Sequence, residues 1–465
     1  MLFTSLEFCI FFCLVLFLYW KVFNRNILWQ NVVVLLASYL FYGWWDWRFL
    51  TLIALSTIVD FFIGLKVGNE SRSQRKKWWL WLSIGFNLCL LAFFKYFEFF
   101  IDSFIDLFAI LGYPLDSWSL KIILPVGISF YTFQSMSYTL DVYKGRIKPT
   151  NNFIAFAAFV SFFPQLVAGP IERAKNMLPQ FFKPRIVTNS DCVVGLHLVL
   201  IGFFKKVVIA DSLAPFVNKI FSNYSEQSGL TLALGAVYFA IQIYADFSGY
   251  SNIARGLARW MGFRLMVNFN FPYFSRNIGE FWRRWHISLS TWFRDYLYIP
   301  IGGSKGGKWF SIRNIFIIFI ISGLWHGANW TFVTWGLFHA LLFIPSFLMR
   351  NNRRYNSSLA INNKSTLSIN TAFQILFTFL FVTFGWILFR ADNINHAIEY
   401  ISRMVTHSWL TGQYYYGIAL VFLMVLIDVI LAKKKDKEWV YYILVGAIFA
   451  ALFSSSPSEF IYFQF

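Results

Sequence analysis

The sequence predicts an all-α fold, a polytopic membrane helical bundle with about 11–13 spanning or re-entrant helices. Three observations indicate this fold class. First, 58% of the 465 residues are hydrophobic and 13% are charged, whereas soluble domains carry roughly a quarter charged residues. Second, apolar stretches of about 18 or more residues, long enough to cross a bilayer as helices, recur along the chain. Third, Lys and Arg cluster between these stretches, as they do in the cytoplasmic loops of membrane proteins.

The apolar stretches define the predicted helices in chain order. They lie near residues 5–22, 28–45, 48–67, 78–100, 151–169, 192–212, 230–250, 311–330, 331–349, 370–390, 413–432 and 438–453. An interrupted apolar segment lies near residues 118–140, and the polar residues 351–370 predict a loop on the cytoplasmic side. We interpret residues 1–465 as a single integral membrane domain, with core motifs at about 120–345 and C-terminal helices and a terminal aromatic motif at about 370–465.

The formal net charge of +18 could indicate a nucleic-acid partner, so the positions of the basic residues decide its meaning. They lie between apolar runs, for example Lys21 and Arg25 after the first run and Lys76 and Lys77 after the third. This is the positive-inside pattern, and it places the N-terminus outside if those two loops are cytoplasmic. We therefore expect a multi-pass protein of the cell inner (cytoplasmic) membrane, in contact with the lipid bilayer and without a nucleic-acid partner.

The cysteines and the common catalytic motifs exclude several classes of protein. Cys9, Cys13, Cys89 and Cys192 lie in or beside apolar runs without CxxC spacing, so neither a disulfide framework nor a metal site is indicated. The sequence also lacks a P-loop, a GxSxG elbow and the matched broken helices of secondary transporters. Nucleotide hydrolysis of the soluble type is therefore disfavoured.

Residues 246–310 differ from the apolar runs. They are dense in aromatic, basic and glycine residues and too polar for a plain span. Irregular backbone at membrane depth needs protein or a water-filled cavity around it, because unpaired backbone groups in lipid are costly. We expect a cavity in this segment.

Two of the six histidines lie in informative settings. His326, in SGLWHGANW, falls within an apolar stretch, where an ionisable group indicates function by default. The alternative is a neutral histidine that bonds a neighbouring helix. His286 lies in FWRRWHISLSTWFRDY beside Arg283 and Arg284, and such a positive surround lowers a histidine pKa and attracts phosphorylated or carboxylate-bearing ligands. The alternative is an interfacial helix anchored by aromatic and basic residues.

Several other polar residues, among them Glu172, occur in or near apolar runs. Pairing within the membrane is the commoner explanation for such residues. We interpret Lys205 with Asp211, and Asp246 with Arg255, as possible structural pairs.

Seven strings along the chain carry a resemblance to a known family. They are PVGISFYTFQSMSYTLDVYKG (125–145), FFPQLVAGPIER (162–173), DFSGYSNIARGLARWMGF (246–263), FNFPYFSRNIGEFWRRWHISLSTWFRDYLYIPIGG (269–303), SGLWHGANWTFVTWG (322–336), FGWILFRA (384–391) and FIYFQF (460–465). With them the chain closely resembles the MBOAT (membrane-bound O-acyltransferase) family, in its branch for alginate O-acetylation and peptidoglycan acetylation. The resemblance spans nearly the whole chain, and both histidine strings occur in the expected order.

The resemblance implies a helical fold thinned near its centre, with a cytoplasmic funnel for a thioester donor and an outward funnel toward an acceptor. His326 matches the catalytic histidine of the family, and His286 matches its second characteristic histidine. Acyl transfer from a thioester to a hydroxyl needs a base, and the histidine reference pKa of roughly 6.5 suits that role. We expect backbone amides, Trp325 or Asn329 to stabilise the developing oxyanion.

The resemblance also suggests the substrates and the partner. Arg283 and Arg284 are expected to shape the donor funnel. The expected donor is acetyl-CoA, used as a substrate, with no permanently bound cofactor and no metal. The expected acceptor is a polysaccharide, either an alginate-like exopolysaccharide or peptidoglycan, reached directly or through an extracytoplasmic SGNH-type esterase-like partner.

The terminal FIYFQF resembles an aromatic motif of bacterial acyl-exporting systems, whose tyrosine carries the acyl group. Tyr462 is therefore a candidate acyl relay, with an interfacial aromatic belt as the alternative. Two other functions stay open. One is the D-alanyl transfer protein of teichoic acid modification, although those systems usually place this motif on a separate small protein. The other is a non-catalytic polysaccharide transporter, which would tolerate the loss of His326.

Overall fold

The chain is helical over most of its length in a computed structural model that describes residues 1–113, 115, 122–353, 368–433, 438–454 and 460–461. No β-strand occurs within these residues, which confirms the all-α prediction. Tyr462 and most of the predicted loop 351–370 lie outside the described residues.

The protein is a multi-pass membrane protein. Seven helical stretches of the described chain are long and apolar enough to cross a membrane: Ile27–Asn69, Ser73–Ile110, Asn189–Ser222, Gly229–Trp260, Gly307–His326, Trp330–Leu348 and Ile369–Arg390. Two further apolar helices, Tyr416–Ala432 and Trp439–Ala451, are shorter. Large apolar side chains such as Phe62 and Phe422 are 58% and 68% exposed, as expected for a surface that lipid covers.

The chain divides into two compact units, and unit 1 comprises Met1–Leu196 and Ala254–Met266. Its helices are α1 (Leu6–Phe17), α2 (Ile27–Asp46), α3 (Leu50–Asn69), α4 (Ser73–Leu91), α5 (Phe97–Ile110), α6 (Ile128–Tyr143), α7 (Phe153–Ser161), α8 (Phe163–Leu166) and α9 (Ala174–Met177). Helix α6 lies almost entirely in the interior of this unit, which explains why the sequence shows it as an interrupted apolar segment rather than a plain span.

A buried carboxylate connects three helices of unit 1. Asp60 of α3 accepts hydrogen bonds from Ser83 (2.5 Å) and Asn87 (2.9 Å) of α4, and from Ser135 of α6. An unpaired carboxylate in an apolar interior is costly, so these donors fix how α4 and α6 pack against α3.

Unit 2 comprises His197–Ile253 and Val267–Phe465. The remaining helices are α10 (Asn189–Phe203), α11 (Asp211–Ser222), α12 (Gly229–Trp260), α13 (Ile278–Arg284), α14 (Ile287–Phe293), α15 (Gly307–His326), α16 (Trp330–Leu348), α17 (Ile369–Arg390), α18 (Ile394–Thr406), α19 (Tyr416–Ala432) and α20 (Glu438–Ser454). The chain passes between the units within α10 and within α12. Fully buried aromatic side chains from α12, α16 and α17, including Tyr238, Trp335 and Trp386, form much of the core of unit 2.

The segment predicted to be irregular begins later than the sequence suggests. Instead of ending near residue 246, α12 continues as a helix to Trp260. The polar residues Asp246, Ser248 and Ser251 are each only 2% exposed, so protein rather than lipid surrounds them and the helix needs no break. Beyond Trp260 the backbone is irregular as predicted, with the short helices α13 and α14 before α15.

The buried ion pairs of unit 2 also differ from the prediction. Lys206, not Lys205, binds Asp211, at 2.9 Å, and it binds Asp246 at the same distance. Lys205 instead pairs with Asp428 of α19 at 2.9 Å. Residues 204–210 form a π-helical turn between α10 and α11, in which the Asp211 N–H donates to the Lys206 carbonyl oxygen five residues earlier and brings the two residues together.

Candidate active site

His326 is the last residue of α15, at the turn into α16. The two helices approach closely because glycines face backbone atoms across their interface. A Cβ at Gly336 would collide with the Phe319 carbonyl oxygen, and one at Gly323 would collide with the Phe332 carbonyl oxygen. The resulting tight hairpin holds the His326 side chain in a buried position.

His286 lies between α13 and α14 and occupies the N-cap position of α14, without a capping hydrogen bond from its side chain. Its φ of 42° is in the left-handed region, which residues other than glycine rarely adopt. Asn268 holds this turn, because its carbonyl oxygen accepts the Ile287 N–H (2.8 Å) and its side-chain oxygen accepts the Ser288 hydroxyl (2.9 Å). Burial lowers the pKa of His286 to about 3, so its imidazole is neutral at physiological pH.

The structure brings the two histidines together, with ring centroids 6.4 Å apart. Trp325 contacts both rings, at 5.0 Å from His326 and 5.9 Å from His286. Trp335 of α16 and Phe389 of α17 each lie 5.2 Å from the His326 ring. The pair therefore lies within an aromatic enclosure built from three separate parts of unit 2.

The two arginines that precede the second histidine are engaged within the fold. Arg284 forms an ion pair with Glu280 at 2.8 Å, and Glu280 also binds Arg276 at 2.9 Å. Arg283 donates to the Asn352 carbonyl oxygen. Burial, rather than a positive surround, is therefore the main cause of the low imidazole pKa, and the sequence prediction was wrong on that cause. A donor-binding role for the two arginines stays a prediction.

The two side chains predicted as oxyanion donors are placed differently. Trp325 lies against both histidine rings, as described above. Asn329 caps α16, since its Oδ1 accepts the Thr331 N–H (3.0 Å) and its Nδ2 donates to the Asp392 carbonyl oxygen (2.8 Å). The Asn329 amide is thus used within the turn that follows α15. Both oxyanion roles stay predictions.

A cavity of about 690 Å³ lies between α13, α14, α15 and α16. Its lining includes Ser322, one turn before His326 on α15, and Ser290, one turn after His286 on α14. Trp282, Ser290 and Lys308 of the lining all belong to residues 246–310, so the cavity predicted for this segment is confirmed. The cavity therefore extends to about one helical turn from each histidine, and neither His286 nor His326 is itself part of its lining.

The cavity has an amphipathic lining. Its walls are largely apolar, with Phe319 and Phe343 among them, while Arg294, Lys308 and Arg350 supply positive charge. No acidic residue occurs among the described residues that line it. The axis of α15 rises about 27 Å from Lys308 to its last residue, at about 1.5 Å per residue. The cavity is thus suited to an elongated ligand with an anionic end and a reactive end near the histidines.

The last described residues lie in the interior of unit 2. Phe460 and Ile461 are each only 2% exposed. The Ile461 N–H donates a hydrogen bond of 2.6 Å to the carboxylate of Asp246. Tyr462 is the next residue in the sequence but lies outside the described residues, so its relay role stays a prediction.

Sequence reasoning missed Glu280, Trp335 and Phe389. A signal for Glu280 was present, because it lies four residues after Arg276 and four residues before Arg284, the spacing at which oppositely charged side chains pair along a helix. Trp335 and Phe389 gave no comparable signal, because their contacts with the His326 ring depend on how α16 and α17 pack.

Fold and site together define a class of protein: a multi-pass membrane protein with a buried histidine pair beside a cationic cavity. A sequence model of MBOAT, the membrane-bound O-acyltransferase family, matches residues 147–385, which contain both histidines. The chain belongs to this family and is an O-acyltransferase.

The similarity to individual relatives covers more of the chain than the family model does. The chain is 43% identical to the probable alginate O-acetylase AlgI of Pseudomonas aeruginosa over 376 residues, 79% of this chain and 68% of the relative. It is 35% identical to the peptidoglycan O-acetyltransferase of Helicobacter pylori over 411 residues, 83% of this chain and 75% of the relative. It is 30% identical to the teichoic acid D-alanyltransferase of Bacillus subtilis over 292 residues, 58% of this chain and 70% of the relative.

Proposed function

We propose that this enzyme takes acetyl from acetyl-CoA at the cytoplasmic face of the inner membrane and delivers it for O-acetylation of a polysaccharide outside. The histidine pair carries the proposal, because a buried imidazole beside a substrate cavity can accept the proton of an attacking hydroxyl. The names of two relatives, an alginate O-acetylase and a peptidoglycan O-acetyltransferase, support acetyl as the group transferred and a glycan as the acceptor.

The cavity supports a donor with phosphate groups and a long thioester arm. Lys308 and Arg350 would bind the phosphates, since no ion pair occupies either side chain within the part of the chain that the structure describes. Arg294 contributes less, because it also binds Asp295 at 2.8 Å. The apolar walls would hold the pantetheine arm, and the thioester would then lie near His326.

The chemistry requires one base and one nucleophile. In the first step His326 removes the hydroxyl proton of Tyr462, the phenolic oxygen attacks the thioester carbonyl carbon, and the carbon–sulfur bond breaks. The proton held by His326 returns to the departing thiolate, so that free coenzyme A thiol and an acetyl ester of Tyr462 result. In the second step an acceptor hydroxyl attacks this ester, takes the acetyl group and returns a proton to the tyrosine oxygen. Trp325 or backbone amides would stabilise the oxyanion in both steps.

The acceptor side involves a second protein. An extracytoplasmic SGNH-type esterase-like partner would receive the acetyl group and pass it to the polysaccharide, because a membrane-embedded site cannot follow a polymer along its length. The high share of Lys and Arg between the apolar runs supports the inner membrane as the location.

The alternative with independent support is D-alanyl transfer. The Bacillus subtilis teichoic acid D-alanyltransferase is a relative at 30% identity. Its match is shorter and weaker than those of the O-acetylating relatives, so acetyl is the better supported group. A non-catalytic transporter has less support, because it would not require two histidines at a cavity.

The proposal is tested with purified enzyme in proteoliposomes, supplied with radiolabelled acetyl-CoA or, in parallel, with a D-alanyl carrier-protein thioester. We expect label from acetyl-CoA to enter the enzyme and to be transferred to a soluble glycan acceptor once the partner is added. If the D-alanyl thioester labels the enzyme and acetyl-CoA does not, acetyl transfer is contradicted and D-alanyl transfer is the function. No labelling from either donor, together with movement of glycan across the membrane, would favour the transporter.

A further inference from the structure

The C-terminal segment, which here means the described residues 460–461, is attached to the core of unit 2 by the backbone of Ile461. The Ile461 N–H donates to Oδ2 of Asp246 at 2.6 Å. A hydrogen bond from an amide to a carboxylate is stronger than one between neutral groups, and burial shields this one from competing water. The attachment depends on a main-chain N–H, so it would form with any residue other than proline at position 461.

The accepting carboxylate is itself held in place. Lys206 lies 2.9 Å from the other oxygen, Oδ1, of Asp246, and it also lies 2.9 Å from Asp211. All three side chains are buried, so the removal of one partner would leave an uncompensated charge in the interior. Asp246 is therefore fixed between the π-helical turn at residues 204–210 and the C-terminal segment.

The same attachment lies next to the histidine pair. Phe247, which follows Asp246 in α12, has its ring 4.7 Å from the ring of His286. The Phe460 ring lies 6.1 Å from Phe247 and 5.0 Å from Tyr250, one turn further along α12. The residues that hold the C-terminal segment thus border the site where acyl transfer takes place.

We propose that Asp246 is a positioning residue, which holds the C-terminal segment through the Ile461 amide so that Tyr462 is presented for acyl transfer. This inference rests on the proposed function of Tyr462 as the acyl relay. A tethered nucleophile at the end of a chain reacts slowly unless its geometry is restricted, and restriction can supply several powers of ten in rate. Asp246 takes no part in bond making, and its effect is on the placement of the nucleophile.

Hydrogen exchange followed by mass spectrometry measures the attachment directly. In the full-length wild-type enzyme, the Ile461 amide should exchange slowly. In Asp246→Ala the protection of the Ile461 amide should be lost, with exchange at least about tenfold faster. Ile461→Pro removes the donor N–H itself and leaves the ion pairs intact, so it has no amide to follow at this position and serves in the kinetic measurement below. Ile461→Ala is the side-chain control, because it retains the amide and should keep most of the protection.

Asp428→Asn provides a matched control for loss of a buried ion pair. Asp428 binds Lys205, a residue of the same π-helical turn, at 2.9 Å and is buried like Asp246. No hydrogen bond joins Asp428 to the described residues of the C-terminal segment. This variant should keep the C-terminal amide protected. If Asp428→Asn removes the protection as fully as Asp246→Ala does, the attachment is not specific to Asp246 and the proposal is overturned.

The second measurement separates positioning from donor binding. With radiolabelled acetyl-CoA, Ile461→Pro should lower kcat for acyl transfer at least about tenfold and leave KM for the donor unchanged, since misplacement of a reacting group by about 1 Å can cost a hundredfold. A variant that loses amide protection but keeps its kcat would overturn the positioning role.

Tyr462→Phe distinguishes this proposal from the one on which it rests. That variant should retain the protected Ile461 amide and lose acyl transfer. If transfer persists in Tyr462→Phe, the relay fails and the positioning role fails with it. If transfer is lost in Tyr462→Phe but persists in both Asp246→Ala and Ile461→Pro, the relay stands and only the positioning role is overturned.

Discussion

At the scale of single residues, the backbone of His286 is the most unusual feature of the site. A non-glycine residue with a φ of 42° carries local strain on the order of 1–3 kcal/mol, which the surroundings must offset. Two hydrogen bonds to Asn268, from Ile287 and Ser288, hold the turn in this conformation. These bonds therefore hold the residue where its ring lies against Phe247 and beside His326.

The catalytic assignment leads to a prediction for His326. His326→Ala should lower acetyl transfer by about 10²–10⁴-fold, since that is the usual contribution of a general base. His326→Gln should fail as well, because an amide forms hydrogen bonds but does not accept a proton at neutral pH. Both are measured as labelled acetate released by base from the acetylated product, with the amount of enzyme in the membrane determined in parallel.

His396→Gln is the matched control for this substitution. His396 is a buried histidine of the same unit, but its ring stacks on Tyr224 at 4.3 Å rather than on the pair. The His396→Gln variant should keep near-normal acetyl transfer. Retention of transfer by His326→Ala would show that the base lies elsewhere.

At the scale of elements, the hairpin of α15 and α16 determines where His326 lies. A Cβ at Gly336 would collide with the Phe319 carbonyl oxygen, and a main-chain atom cannot move aside as a flexible side chain can. A substitution at this position must therefore separate the two helices and enlarge the aromatic enclosure around His326.

The close approach of these helices predicts the effect of a single methyl group. Gly336→Ala should destabilise the protein by about 1–3 kcal/mol, the usual cost of overpacking an interior. It should also lower kcat, because the His326 ring shifts. Thermal unfolding of the detergent-solubilised enzyme, followed by intrinsic fluorescence, measures the first effect, and the acetyl-CoA assay measures the second.

Gly446→Ala introduces the same methyl group into α20, where, among the described residues, no atom beyond the adjoining backbone of α20 lies within 4 Å of the new Cβ. It should be neutral or stabilising by up to about 1 kcal/mol, because alanine has the higher helix propensity. Equal destabilisation by the two substitutions would contradict the proposed role of the glycine contact.

At the scale of the whole molecule, stability is expected to depend on a carboxyl group of unit 1. Glu172 is 1% exposed, and burial raises its pKa to about 7, although the Met266 N–H and the positive charges of Arg173 and Arg255 act in the opposite direction. The group lies outside the membrane-spanning stretches. Because the folded protein favours the protonated form, Glu172 stabilises the fold fully below its unfolded pKa and loses that contribution as pH rises through about 7.

The wild-type protein should therefore become less stable between about pH 5 and pH 8, by up to about 3 kcal/mol for this shift in pKa. Glu172→Gln retains an oxygen that accepts the Met266 N–H but does not titrate. This variant should show a flatter dependence of Tm on pH and a higher Tm than wild type at pH 8. Parallel pH profiles for the two proteins would contradict the prediction.

Much of the molecule could be predicted from local sequence. The apolar runs identified the long spanning helices because crossing a bilayer depends on hydropathy summed over a short window, which needs no knowledge of partners. The prediction of a span at 151–169 was wrong, because this run forms the short buried helices α7 and α8. The strings around His286 and His326 identified the family and both histidines because they contain the chemical groups themselves. The cavity in residues 246–310 followed from the same kind of local argument, since that stretch was too polar for lipid.

Which side chains contact one another was decided only by the tertiary structure. Sequence spacing could not show that Lys206 rather than Lys205 binds Asp211, because the result depends on a π-helical turn that alters the helix register. Nor could it show that the basic residues lining the cavity come from the turn after α14 and from the ends of α15 and α16. Hydropathy and motifs act over a few neighbouring residues, whereas an ion pair, a cavity wall and the 6.4 Å between two histidine rings depend on how distant helices pack.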